Sequence, residues 1–401
     1  MTLHPHPYFR TFEIFLMEKT NLKGLSLQDL QRYVESLGEK KYRGGQLYSW
    51  LYAKQAQSFD EMSDISRDFR DILRSSAKVD NLQVIHSSRS EVDGTTKYLF
   101  KLPDGLAIES VLIPPERDSG AAERRLTLCV STQVGCPLDC KFCATGTMGF
   151  TRNLTSGEIV DQVIQAQRLS ERRITNLVYM GMGEPFLNYA NVMKSLEILT
   201  DDRSLNIGAR HITISTAGYA DKIRQMADER CRAKLALSLH TLDNDKRIQL
   251  MPITKKYSVA ELLESVAYYY SKTRRRPTFE YILFDGFNDT EVDIKKFEKL
   301  ARRIPCKVNI IPFHSIAFTQ PSGFAATLQP SSTRRTEKFV ERLRETNITV
   351  MVRSSAGEDI KAACGQLAVE DSSAVGRRSG SVATGKSVSL TAAPDSTLSL
   401  P

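Results

Sequence analysis

No apolar run in this chain exceeds the length of a β-strand, so no membrane-spanning helix is expected. The first residues, MTLHPHPYFRTFEIFLMEKT, lack a charged leader, a clean apolar segment and a small-residue cleavage site, and no secretory signal is expected. Met17 precedes a polar start, EKTNLKGLS, which makes residues 1–16 an expected upstream extension without a structural role. A pairable set of cysteines is also missing. Seven cysteines, an odd number in a chain without a secretion signal, point to a reducing cytosol and to metal-binding or catalytic thiols, not a disulfide framework. Hydrophobic residues make up 41% and charged residues 25%, ordinary values for a globular protein, and 401 residues suffice for one large catalytic domain and a smaller one. The net charge of +8 is concentrated in the middle: residues 121–365 carry 36 Lys and Arg against 27 Asp and Glu. Such an excess suits a polyanion such as RNA, or simply a basic soluble surface.

Four of the seven cysteines fall within fifteen residues of RLTLCVSTQVGCPLDCKFCATGTMGFTR, at Cys129, Cys136, Cys140 and Cys143. The last three are spaced C-x3-C-x2-C, and Cys129 closes a β-branched, strand-like run ahead of them. Soft thiolates on one loop select soft metal ions and iron–sulfur clusters. A fourth ligand is absent, because Cys231 and Cys306 lie in helical or pre-strand contexts. Half of a zinc site remains an alternative, but zinc ribbons pair two C-x2-C knuckles. A cluster held by three protein ligands keeps one iron open to a small molecule.

Residues 25–77 read as a helical unit. SLQDLQRYVESLG starts at Ser26 as N-cap and stops at Gly38; KKYRGGQLYSWLYAKQ sets Leu47, Trp50 and Leu51 on one face. SDISRDFRDILRSSA is capped by Ser63 or Asp64 and carries the stripe Ile65, Phe69, Ile72 and Leu73. Tyr48 and Trp50 read as core, and Lys40-Lys41-Tyr42-Arg43-Gly44-Gly45 as a basic turn open to nucleic acid or to solvent. Residues 82–113 alternate with a period of two, with turns at 92–95 and 103–105, as a β-hairpin or small meander. Within it, Glu109 lies among the apolar residues of AIESVLIP, where an ordinary solvent-facing glutamate also fits. From 126 onward strands and helices alternate. Strands are expected at 126–131, 174–180, 209–215, 234–239, 278–284 and 307–312, helices at 156–171, 190–201, 219–230, 258–272, 290–303 and 333–346, and a last short strand at 347–352. This is an α/β class, a parallel sheet with right-handed crossovers, open or curled into a barrel, whose ligands sit where strands end. Residues 368–401, rich in Ser, Ala, Gly and Thr, read as a disordered tail. The domains expected are an extension at 1–20, a helical accessory unit at 21–80, a β-hairpin linker at 81–125, the catalytic barrel at 126–367 and the tail.

The strand ends carry the remaining motifs. Gly181-Met182-Gly183-Glu184-Pro185 offers two glycines for close approach and a carboxylate for an ammonium group, without the third glycine of a dinucleotide fingerprint. Ser215 ends one strand in ISTAG, and Ser238-Leu239-His240 end the next.

In this order, C-x3-C-x2-C, GMGEP, ISTAG and LSLH resemble a radical S-adenosylmethionine enzyme. With TLCVSTQVGCPLDCKFCATG and GEDIKAACGQL, the chain from about 20 to 367 resembles the dual-specificity RNA methyltransferases that modify carbon 2 of adenine in 23S rRNA and tRNA. The resemblance implies a partial (βα)6 radical S-adenosylmethionine barrel with the helical unit, which would be RNA-binding, and the β-hairpin as extensions. Cys136, Cys140 and Cys143 would hold one [4Fe-4S] cluster, whose open iron binds the amino and carboxylate groups of S-adenosylmethionine. Gly183, Glu184, Ser215, Ser238, Leu239 and His240 would line the rest of that cofactor. His314 is assigned to an adenine-side contact, although the family commonly has asparagine after the strand end written IIPF here, and a longer stretch, 315–332, follows it. Cys364 would be the S-methylcysteine intermediate, Cys129 its transient disulfide partner meeting it beside the cluster, and Glu109 the proton acceptor. Carbon 2 of adenine is not nucleophilic, so a thiolate first takes the methyl group, and a 5′-deoxyadenosyl radical from a second cofactor molecule then activates it. The partners implied are 23S rRNA, tRNA and an external one-electron reductant such as flavodoxin, for a monomeric cytoplasmic protein. Three alternatives stay open: the sister enzymes that methylate carbon 8, a non-catalytic iron–sulfur RNA-binding protein, and a zinc-stabilised RNA-binding module.

Overall fold

The structure, a computed structural model, describes residues 19–115, 125–346, 348–353 and 355–369. The extension at 1–16, Asn347 of the last expected strand, and the tail from 370 onward lie outside the described residues. The strands are β1 (Thr20–Asn21), β2 (Ala77–Lys78), β3 (Gln83–Arg89), β4 (Thr96–Lys101), β5 (Ala107–Ile113), β6 (Thr127–Cys129), β7 (Gln133–Gly135), β8 (Phe150–Asn153), β9 (Asn176–Tyr179), β10 (Ile212–Thr216), β11 (Lys234–Ser238), β12 (Thr278–Leu283), β13 (Lys307–Pro312) and β14 (Thr349–Val352).

In the N-terminal unit, helix Leu27–Ser36 begins in a capping box: Ser26 Oγ accepts the Asp29 N–H, and the Asp29 carboxylate accepts the Ser26 N–H. The expected basic turn is instead the start of a second helix, Tyr42–Tyr48. Gly44 lets that helix cross the first, and Arg43 is tied to Glu39 at 2.6 Å and lies over the Phe69 ring. Helix Arg67–Ser76 starts after Ser66, whose side chain makes no capping hydrogen bond, and not after Ser63 or Asp64; the Asp64 carboxylate accepts from Trp50 Nε1 at 2.5 Å. Its Phe69 and Leu73 are buried, whereas Ile72 falls at the margin of that face and is 38% exposed. Tyr48 is core as expected, and Trp50 packs half-buried against it.

This unit is fastened to helix Ser156–Leu169 by polar contacts in a dry setting. Lys23 and Asp161 form a buried ion pair, and the other Asp161 oxygen accepts the Leu82 N–H at 2.6 Å. The two backbones nearly touch: a Cβ on Gly157 would stand 2.5 Å from the Lys23 carbonyl oxygen, so only glycine fits there.

Ten strands among the described residues form one sheet, ordered β14-β13-β12-β11-β10-β9-β6-β5-β4-β3. The three strands β3 to β5 are an antiparallel meander whose last strand runs antiparallel to β6. From β6 through β9 to β14 every neighbour is parallel. Helices Ser156–Leu169, Tyr189–Thr200, Ala220–Asp228, Val259–Thr273, Glu291–Arg303 and Thr333–Glu345 make the crossovers, at the positions periodicity indicates. A small antiparallel ribbon, β7 with β8, was not legible in the sequence; it brackets the three clustered cysteines. Residues at or just beyond the C-terminal ends of β9 to β13, and Arg353 just after β14, line one common cavity, so the sheet curls around it. Among the described residues, no helix is long and apolar enough to cross a membrane.

Candidate active site

The cysteine loop is pinned at both shoulders. Gln162, on helix Ser156–Leu169, accepts the Ser131 N–H at 2.8 Å and donates to the Ser131 carbonyl at 3.0 Å. Gln133 accepts the Glu184 N–H through Oε1 at 2.8 Å and donates to Asn153 at 2.8 Å, tying the loop to the GMGEP turn and to β8. Gly183 allows that contact: its φ is +97°, and a Cβ there would lie 2.5 Å from Gln133 Cβ. The far shoulder meets the C-terminal segment. The Ala144 N–H donates to the Gly365 carbonyl at 2.7 Å, and the Thr145 hydroxyl donates to the Leu367 carbonyl at 2.6 Å. Those two bonds carry Cys364 to the cysteine loop, 221 positions after Cys143 in sequence.

A cavity of about 150 Å³, open to solvent, lies at the strand ends. Cys136, Cys140, Cys143, Gly183, Glu184, Ser215, Ser238 and His240 all line it, as does Cys364. Glu184 is buried, and its carboxylate accepts the Phe186 N–H at 3.0 Å, the Thr216 hydroxyl at 2.7 Å and the Ala217 N–H at 2.7 Å. Desolvation still pushes its pKa up to about 7. His240 is held neutral, with its pKa driven down to about 3 by burial and then by Arg247. Its Nδ1 accepts the Ile282 N–H at 3.1 Å, which puts the proton on Nε2.

Arg247 is wholly buried and has no carboxylate within ion-pair distance among the described residues. Its guanidinium donates to the carbonyls of Ala217 (2.6 Å), Ser238 (2.8 Å) and Leu239 (3.1 Å) and to the Thr254 hydroxyl (2.7 Å). It therefore locks the ends of β10 and β11 together. Burial lowers its pKa to about 10, and Cys140 acts in the opposite direction.

A second cavity adjoins the first and is lined by Cys129, His314, Arg353 and Cys364. Met180, Ile311, Arg353, Cys364 and Gly365 belong to both, so Cys364 stands in the partition between the cysteine loop and Cys129. All seven cysteines are free thiols, Cys129 and Cys364 included. Burial, with Cys364 nearby, pushes the Cys129 thiol up to about 12.

Three expected site residues lie elsewhere. Leu239 is core; its side chain is fully buried, and its carbonyl is taken by Arg247. His314 lines the second cavity, not the first, with Nδ1 3.3 Å from Glu358, because the turn after β13 carries it past the partition. Glu109 is buried and faces a third cavity beyond the 361–368 segment, its oxygens bound to Lys97 Nζ at 3.0 Å and the Ala368 N–H at 3.0 Å. Cys231 and Cys306 pack against the core. Sequence reasoning missed Gln133, although it sits inside the flagged cysteine stretch, and Gln162, Arg247, Glu280 and Arg353, each a single polar residue in an otherwise unremarkable segment. A larger cleft, between helix Thr333–Glu345 and the edge strands β12 to β14, contains none of the expected site residues.

The donor set fits an iron–sulfur cluster better than a zinc ion. Among the described residues, no three His, Cys, Asp or Glu side chains converge closely enough to hold one metal ion. Ligands of a four-iron cube stand around a larger object. Burial pushes the Cys136 thiol up to about 12 and those of Cys140 and Cys143 upward as well, so thiolates here need cationic metal ions.

Comparison with known proteins gives concordant matches. The radical SAM superfamily model matches residues 130–297, and the model of the ribosomal RNA large subunit methyltransferase N-terminal domain matches 20–79. A protein of Salinibacter ruber described as "Probable dual-specificity RNA methyltransferase RlmN" is 42% identical over 359 residues, covering 88% of this chain and 95% of the relative. One of the same description from Thermotoga sp. (strain RQ2) is 44% identical over 348 residues, covering 86% and 97%. The crystal structure of a radical SAM methyltransferase from Sphaerobacter thermophilus superposes with a TM-score of 0.79 at 39% identity, covering 88% of this chain and all of that one.

Proposed function

The chain belongs to the RlmN family of radical S-adenosylmethionine RNA methyltransferases, and from that premise we propose that it methylates carbon 2 of one adenine in 23S rRNA and of adenine 37 in tRNAs, in the cytoplasm. The supporting observation is the position of Cys364 in the wall shared by the cluster-side cavity and the Cys129 cavity. A residue that takes a methyl group from one ligand and delivers it to another must be reachable from both.

Cys136, Cys140 and Cys143 would hold the [4Fe-4S] cluster, with Arg247 as a buried cation close by. When bound and reduced by an external donor such as flavodoxin, that cluster supplies the electron that cleaves S-adenosylmethionine. Glu184 would accept a hydrogen bond from the amino group of the cofactor, and Ser215, Ser238 and His240 would line its remainder. The Cys364 thiolate would take the methyl group of one cofactor molecule, with S-adenosylhomocysteine leaving; a hydrogen atom of that methyl group would pass to the 5′-deoxyadenosyl radical from a second, and the methylene carbon would bond to carbon 2 of the adenine, the adduct giving up one electron to the cluster. Glu109 is assigned the ring proton. To act it must exchange its bond to the Ala368 N–H for the substrate, which requires the 361–368 segment to shift. The Cys129 thiolate would then attack the Cys364 sulfur, forming the disulfide while the bond from that sulfur to the methylene carbon breaks and the carbon takes up a proton to become the methyl group of the departing base.

The test is anaerobic turnover of the reconstituted enzyme with methyl-labelled S-adenosylmethionine on 23S rRNA and tRNA, with mass-spectrometric mapping of the product. Label on carbon 2, abolished by Cys364→Ala, is the expected result. Label on carbon 8, or full methylation by Cys364→Ala, would overturn the proposal.

A further inference from the structure

Glu280 lies in the middle of β12, lines the cluster-side cavity and is only 3% exposed. One carboxylate oxygen, Oε1, accepts from Asn309 Nδ2 at 3.0 Å; the other, Oε2, has no hydrogen-bond partner. Burial pushes the Glu280 pKa up, and Arg353 Nη1, 3.8 Å from Oε2 and too far for a hydrogen bond, opposes that shift. Leaving a buried carboxylate oxygen unsatisfied is costly. An acceptor kept in that state on a cavity wall is fitted to a donor that arrives with the ligand.

Its neighbours indicate which donor. In the parallel register Ser238 on β11 pairs with Glu280, and Glu280 pairs with Asn309 on β13. Adjacent strands are about 4.8 Å apart, so the Ser238 hydroxyl and the Glu280 carboxylate lie within reach of one ligand group. Glu184, the acceptor for an amino group, follows β9, three strand spacings from β12, or about 14 Å along the curved sheet. A ligand with an amino acid at one end and a nucleoside at the other spans that interval. Between the amino acid and the base it presents the pair of hydroxyls on a ribose, and a carboxylate is a good acceptor for such a pair.

We propose that Glu280 Oε2, with Ser238 beside it and Arg353 as its counter-charge, accepts hydrogen bonds from the ribose hydroxyls of the nucleoside cofactor. The assignment rests on the cofactor being S-adenosylmethionine, as in the function proposed above. Glu280 is thus a cofactor-binding residue, and Arg353 is a positioning residue that acts through it.

The test is calorimetric binding to the anaerobically reconstituted enzyme, with S-adenosylmethionine and its 2′,3′-dideoxyribose analogue as probes and iron content and melting curves as controls. Glu280→Gln should weaken S-adenosylmethionine binding tenfold or more while leaving affinity for the dideoxy analogue within about twofold of wild type. Glu280→Asp keeps the charge facing Arg353 but withdraws the oxygen by one methylene, and serves if the glutamine variant does not fold; it should give the same pattern. Unchanged affinity for S-adenosylmethionine, or equal loss for both probes, would overturn the proposal. Failure of the wild-type enzyme to bind S-adenosylmethionine would instead overturn the underlying function.

Discussion

Glu184 accepts three hydrogen bonds where β9 and β10 end, and burial nevertheless pushes its pKa up to about 7. A carboxyl whose pKa rises on folding holds its proton more tightly in the folded chain. Stability of the ligand-free protein should therefore fall as pH climbs from about 4.5 to about 7 and level off above that, by about 3 kcal/mol from this group. A ligand amino group that donates hydrogen bonds here is better received by the carboxylate than by the protonated acid, so its affinity should move the other way. S-adenosylmethionine binding, measured calorimetrically, should strengthen from about pH 6 to about pH 8 and be nearly flat in Glu184→Gln; an undiminished slope in that variant would assign the titration elsewhere. Arg247 raises a related issue, because its charge is buried among carbonyls without a carboxylate. Arg247→Gln would leave the Ala217, Ser238 and Leu239 carbonyls short of donors, at a cost of about 3 kcal/mol or more in urea unfolding. Arg247→Lys should recover only part of that, since one ammonium group cannot span two strand ends.

At the level of elements, helix Ser156–Leu169 links three parts of the molecule. Its N-terminus is capped by Thr155 and Glu158, with Glu158 also gripping Arg152 at the end of β8 by two hydrogen bonds of 2.7 and 2.9 Å. Further along, Asp161 meets Lys23 of the N-terminal unit, and Gln162 holds the shoulder of the cysteine loop. Breaking the buried ion pair from one side leaves an uncompensated charge, so Lys23→Met should cost about 3–5 kcal/mol of stability, read as a fall in melting temperature. The double variant Lys23→Met with Asp161→Leu should recover most of it. If the double variant is as unstable as the single, the pair serves packing rather than charge balance. The helix start is corrected at this scale too: Asp64 suits an N-cap, but its carboxylate accepts from Trp50 Nε1, and the helix starts after Ser66.

On the scale of the whole molecule, the positive charge sits on the catalytic region, so RNA binding should be salt-dependent. The dissociation constant for tRNA, measured by fluorescence anisotropy, should rise at least tenfold between about 50 mM and about 200 mM salt. A flat salt response would mean that the excess does not meet the RNA backbone. The ten-stranded sheet gives this surface its frame, because the meander β3 to β5 continues the parallel strands and brings Glu109 and Lys97 close to the segment that carries Cys364. Its extent was only half legible. A two-residue period shows that strands 82–113 exist, yet not that β5 pairs with β6.

The sequence by itself determined the parts whose chemistry or geometry needs a fixed local pattern. Three thiols at short spacing, glycine and glutamate at a strand end, a capping box before an amphipathic run and the strand–helix alternation are all written within a few residues. What only the tertiary structure decided is how distant residues share one space. Cys364 reaches the cysteine loop through hydrogen bonds from Ala144 and Thr145 that no local pattern encodes. Glu280, Arg247 and Arg353 are ordinary polar residues until folding buries them against partners on other elements. Glu109, flagged among apolar neighbours, turned out buried beside Lys97 and Ala368, and His314 lies past the partition. The physical reason is the same in each case. Burial and the pairing of buried charges depend on the whole sheet closing around its strand ends, and those contacts form between residues far apart in the chain.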